Sequence, residues 1–120
     1  MRFIVLIFST LTLLSAQSSY EKGKELYVSK ACYACHGHKL EGMHMYPRLA
    51  NRAKGYLSYK LKYFREKKAD TQQQEMMIDF AIGLSDEDID NLTTYFTDYV
   101  EEMQRERYDD SYQVHGDGGS

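Results

Sequence analysis

A chain of 120 residues is enough for one small domain. A single proline, 28% charged residues and 42% hydrophobic ones describe a soluble, mostly helical chain, and no strand-like alternation persists anywhere along it. The net charge of −3 goes with no expectation of a nucleic-acid partner.

The chain opens MRFIVLIFSTLTLLSA, a positive Arg2, a short apolar run and small residues Ser15 and Ala16. This reads as a secretory signal over residues 1–16, too short and too interrupted by Ser9, Thr10 and Thr12 for a membrane span. The expected product is therefore exported, with no stable membrane anchor. Residues 17–107 are expected to form its one domain.

A first helix is expected over 20–35, with Ser18 and Glu21 as a capping box and Gly23, Tyr27 and Ala31 on one face. A loop with Gly37, Gly42 and Pro47 follows. A second helix is expected over 55–67, where Leu57, Leu61 and Phe64 recur between lysines. The segment DTQQQEMMIDFAIG is left between helices. A third helix is expected over 85–107, opened by a Ser85–Asp88 capping box and carrying Ile89, Leu92, Phe96, Tyr99 and Met103 as its apolar stripe. Residues 108–120 read as a disordered polar tail. Three short helices and long loops make a poor core, so the apolar stripes point to a cofactor as its missing part.

Both cysteines of the chain lie in Cys32-Tyr33-Ala34-Cys35-His36. In an exported chain two free thiols do not normally persist. Cys-x-x-Cys-His is the attachment signature for c-type haem. Two residues between the cysteines place both sulfurs along one porphyrin edge, where each thiol adds to a vinyl group, and the next residue brings an imidazole to the iron. The rivals are weaker. A thioredoxin-like pair wants a βαβ context. A zinc site wants four ligands at paired spacings, which Cys32, Cys35, His38 and His44 do not supply. A disulfide here would close a trivially short loop.

At this point the chain resembles a family, the class I c-type cytochromes, in particular the small single-haem bacterial periplasmic type. The resemblance runs over residues 20–100. It rests on Gly23 and Tyr27 before Cys32-Tyr33-Ala34-Cys35-His36-Gly37, on Pro47-Arg48-Leu49-Ala50, on Tyr56-Leu57, on Met76-Met77, and on Leu84-Ser85-Asp86-Glu87-Asp88-Ile89 leading to Leu92 and Tyr95. It implies an all-α class I cytochrome c fold, three to four short helices around one covalent haem c, with Gly23 where the first and last helices cross near Tyr95 and Phe96.

The resemblance also implies the site. Cys32 and Cys35 would hold the haem and His36 would be one iron ligand. The other is usually a methionine seven residues before the Leu of Leu-Ser-Asp, which makes it Met77, with Met76 as the alternative. Met43 and Met45 lie too near the attachment loop, Met103 reads as core, and His38 and His44 read as solvated. The Pro47 carbonyl would hold the second nitrogen of His36, and Tyr46, Arg48 and Arg52 are candidates for the propionates. The implied function is a monomeric periplasmic electron carrier, not an enzyme, cycling Fe(II)/Fe(III) between respiratory redox partners. The alternatives are a haem subunit of one dedicated oxidoreductase, or a five-coordinate haem peroxidase or gas-binding protein.

The charge is uneven. Residues 20–70 hold twelve Lys and Arg against five acids, while 85–120 hold two Arg against eleven acids. This predicts a basic docking face on the first part of the domain, near Lys22, Lys24, Lys30 and Lys39, that steers acidic partners.

Overall fold

The computed structural model describes residues 16–101. Most of the expected signal segment, Met103 and the expected 108–120 tail lie outside the described residues.

The described residues form five helices in order, where three to four were expected: α1 (Ser19–Ser29), α2 (Tyr33–His36), α3 (Lys54–Arg65), α4 (Gln72–Ala81) and α5 (Asp86–Thr97). Among the described residues the only β pairing is an isolated bridge between Met43 and Tyr46.

The expected first helix is two. α1 starts where Ser18 Oγ accepts the Glu21 N–H at 3.2 Å. It ends at Ser29, because the N–H groups of Lys30, Ala31 and Cys32 fold back onto the carbonyls of Leu26, Val28 and Tyr27. Ala31 takes a left-handed φ of 55°, a conformation that costs a non-glycine residue about 1–2 kcal/mol. No glycine marks this turn in the sequence. Ala31 consequently leaves the Gly23–Tyr27 face and is exposed.

The segment after residue 70 is a helix, not a connection. Thr71 Oγ1 caps it by accepting the Gln74 N–H at 3.2 Å, and neither glycine nor proline interrupts it before Gly83. At α5 the expected capping box is present, with Asp88 N–H donating to Ser85 Oγ and Ser85 N–H to Asp88 Oδ2, both at 3.0 Å. The helix stops at Thr97 and does not run on through Tyr99. Asn51, from a distant loop, takes over its terminal carbonyls: its N–H donates to Phe96 O at 2.8 Å, and its Nδ2 to Thr97 O at 3.2 Å and Tyr99 O at 2.8 Å.

The core forms where α1 crosses α5. Gly23 is buried there, and a Cβ on it would overlap the carbonyl oxygen of Asn91 and meet Tyr95 Cβ. This agrees with the expected crossing, one turn earlier along α5 than Tyr95. The close approach brings Tyr27 into ring contact with Tyr95 at 5.7 Å and Phe96 at 5.8 Å. Ile89, Leu92 and Phe96 are at most 4% exposed, and burying each stabilises by about 1.5–3 kcal/mol. α3 sets Leu57, Leu61 and Phe64 inward, and these face a cleft as much as they face α5.

Candidate functional site

A cleft of about 440 Å³ opens between α2, α3, α4 and α5. One wall is the attachment segment. A single helical turn, with Cys35 N–H and His36 N–H both directed to Cys32 O at 3.3 and 3.0 Å, sets Cys32, Cys35 and His36 along that wall. The facing side comes from α4, which contributes Met76 and Met77. Leu57, Leu61, Leu92 and Phe96 make it apolar within. Lys30, Arg52 and Lys60 line it too, and among the described residues no acid does.

His36 is 7% exposed. Its Nδ1 lies 2.8 Å from the Pro47 carbonyl oxygen. A carbonyl can only accept, so Nδ1 carries the hydrogen and Nε2 presents a bare lone pair. Burial pushes the imidazole pKa below its ordinary value, against the smaller opposing pull of the Pro47 carbonyl. Burial likewise pushes the Cys32 thiol up. The two sulfurs are not joined to each other.

The two methionines differ. Met77 is half-buried and packs against the core, whereas Met76 is 50% exposed. Met45 also reaches the cleft but is 66% exposed. Of the residues considered for propionates, Tyr46 and Arg52 line the cleft and Arg48 does not. Arg52 stacks over Tyr56 at 4.8 Å and donates to Arg48 O at 3.4 Å. His38 and His44 are exposed and away from the cleft, and His38 stacks on Tyr33 at 4.6 Å. Lys60 and Gln74 were not singled out from the sequence, and Tyr56 only as part of the resemblance, with no role at the site. They reach the cleft only because α3 and α4 pack side by side.

Two thiols, an imidazole with a free nitrogen, a thioether on the facing helix, an apolar interior and cations together fit an iron porphyrin carrying two propionates. The sequence profile of the family described as cytochrome c matches residues 20–98. The chain belongs to the cytochrome c family. It is 34% identical over 67 residues to "Cytochrome c-554(548)" of Halomonas halodenitrificans, covering 55% of this chain and 81% of that one. It is 33% identical over 81 residues to "Cytochrome c-554(547)" of Halothiobacillus neapolitanus, covering 61% of this chain and 88% of that one. This cytochrome is all-α and of class I, its cofactor is covalently bound haem c, and its chemistry is haem-based electron transfer. Among the described residues no helix is long and apolar enough to cross a membrane.

Proposed function

We propose that this cytochrome is a periplasmic electron carrier, with its haem bonded to Cys32 and Cys35 and its iron held between His36 and Met77. The observation that carries the reading is the cleft itself. It brings the attachment segment and the half-buried methionine of α4 to one apolar space. Bound there, the haem supplies one-electron Fe(II)/Fe(III) chemistry.

The protein's own groups do the rest. The Pro47 carbonyl holds the His36 ring and leaves Nε2 for the iron. A thioether from Met77 favours the reduced metal and raises the potential. Leu57, Leu61, Leu92 and Phe96 exclude water, which favours the form with less net charge. Arg52 and Lys60, which line the cleft, would offset the propionates. His36 and Met77 would hold the iron from the chain's own side chains and leave no place on it for a substrate, which fits a carrier and not a peroxidase. Export to the periplasm is supported by the character of residues 1–16.

Redox partners meet the cytochrome at the cleft, where cations sit beside exposed Met45, Tyr56 and Phe80. The basic face is narrower than the charge count predicts. Lys22 pairs with Glu87, Lys39 with Glu101, Lys54 with Asp90 and Arg65 with Asp86, so four of the basic side chains meet acids of α5 or of the residues just beyond it. Lys30, at the cleft rim, has no ion pair within the described residues and keeps its charge for a partner.

The test is a pair of absorption spectra of the purified protein, oxidised and reduced, followed by acid–organic extraction. Colour that stays with the polypeptide and a low-spin six-coordinate spectrum are expected. Colour passing wholly into the organic layer, or a high-spin spectrum, would overturn the attachment or the ligation respectively.

A further inference from the structure

Tyr27 is a buried phenol, 1% exposed, on a helix that does not line the haem cleft. Its ring is locked by Tyr95 and Phe96. Packing alone would be served as well by phenylalanine. Yet Tyr27 makes two hydrogen bonds to the attachment segment, one at each end. Its backbone carbonyl accepts the Cys32 N–H at 3.1 Å. Its hydroxyl donates to the Gly37 carbonyl at 2.6 Å, in the interior. One residue of α1 thus spans the whole of Cys32-Tyr33-Ala34-Cys35-His36-Gly37.

The far end of that segment needs holding. Gly37 has a φ of +88°, a conformation that a side chain would strain, so its peptide is not part of a continuing helix. From here the chain turns back. The His36 carbonyl accepts the Gly42 N–H at 2.8 Å and the Gly37 carbonyl accepts the Leu40 N–H at 3.2 Å. The Leu40 bond is the longer one, and the phenol supplies the short bond to the same oxygen. Burial raises the Tyr27 pKa far above the ordinary phenol range, which keeps the hydroxyl a donor.

We propose that Tyr27 is a positioning residue: its carbonyl and its phenol brace both ends of the attachment segment, and so fix the direction from which the His36 ring meets the iron. Through Tyr27 the α1–α5 crossing is coupled to the iron's coordination. This rests on His36 being an iron ligand, as proposed above.

The experiment compares the full-length holoprotein with Tyr27→Phe and with Ile89→Val. The second variant trims the same core on α5, at a residue 1% exposed that does not line the cleft. In the oxidised parent, hyperfine-shifted ring protons of His36 first establish its ligation; their absence would refute the ligand reading and leave nothing for Tyr27 to position. With ligation established, Tyr27→Phe is expected to change the spread of the haem-methyl shifts. In the reduced protein it should speed exchange of the Gly42 N–H by about tenfold, the loss of one buried hydrogen bond. Ile89→Val should do neither. A change in either readout confined to Tyr27→Phe supports the brace. Shifts and exchange in Tyr27→Phe that match Ile89→Val overturn it. Should Tyr27→Phe yield no holoprotein, the parent's Tyr27 hydroxyl proton decides. Slow exchange with a coupling to the Gly37 carbonyl carbon supports the proposal, and exchange as fast as that of exposed Tyr59 refutes it.

Discussion

Met76 and Met77 are neighbours on one helix and line the same cleft, yet they are not equivalent. Successive helical residues point about 100° apart, so one of the pair turns toward the core and the other toward water. Met77 is the inward one and Met76 is half exposed. Met77→Ala is expected to abolish the weak far-red band of iron–thioether bonding and to lower the midpoint potential, while Met76→Ala leaves the band in place. Spectra and redox titration of the two variants check this, and the reverse pattern would assign the iron to Met76. Cys32, Cys35 and His36 could be read directly because their geometry is local, confined to one helical turn. Tyr27 could be read only as an apolar-face residue. What its hydroxyl touches lies ten positions along the chain, and the left-handed turn at Ala31 that brings the two together has no signature in residue type.

At the scale of elements, two contacts decide how the helices meet. The first is Gly23 against the Asn91 carbonyl, backbone on backbone, with no flexible side chain to give way. Gly23→Ala is expected to destabilise by about 1–3 kcal/mol as overpacking. Gly55→Ala, with nothing within 4 Å of its added carbon, should be neutral or stabilising by about 0.5 kcal/mol. Denaturant melts of both variants test the contrast, and equal losses would mean that the crossing can relax. The second is Asn51, which ends α5 from across the molecule and holds a φ of 60°. Asn51→Ala removes both side-chain bonds and puts a poor residue in a left-handed conformation. It should cost about 1–3 kcal/mol. Asn51→Gly, which tolerates the conformation, should cost less, and the same melts rank the two. The starts of α1 and α5 were legible as caps, because a cap is a bond between residues three apart. The end of α5 was not, since its terminator is 45 or more residues away in sequence. The start of α4 carries a cap signal in Thr71 and Gln74, but its first turn is polar and its apolar face short, so apolar periodicity does not mark it.

For the whole molecule, the proposed docking of partners at the cleft is a question of charge. Lys22, Lys39, Lys54 and Arg65 pair with acids at α5 and just beyond it, whereas Lys30 at the cleft rim has no ion pair within the described residues. Steered association weakens as the Debye length falls from about 30 Å at 0.01 M salt to about 10 Å at 0.1 M. The second-order rate with an anionic redox partner should fall across that range. Charge reversal at Lys30 should slow it at low salt, whereas reversal at Lys22, already paired, should change it little. Stopped-flow rates measure all three, and a rate flat in salt would leave the exposed apolar residues as the docking surface.

The attachment signature, the all-helical class and the need for a cofactor to complete the core were present in the order of residues. They depend on spacing within a turn and on apolar periodicity, which act over a few positions. The break at Ala31, the reach of Asn51 to the end of α5, the hydrogen bond from Tyr27 to Gly37 and the pairing of four basic side chains with acids of the α5 region were settled by packing. Each depends on groups that meet only when α1 crosses α5 and the loop after the attachment segment closes over it. Contacts of that kind are set by three-dimensional distance, which residue type and spacing do not encode.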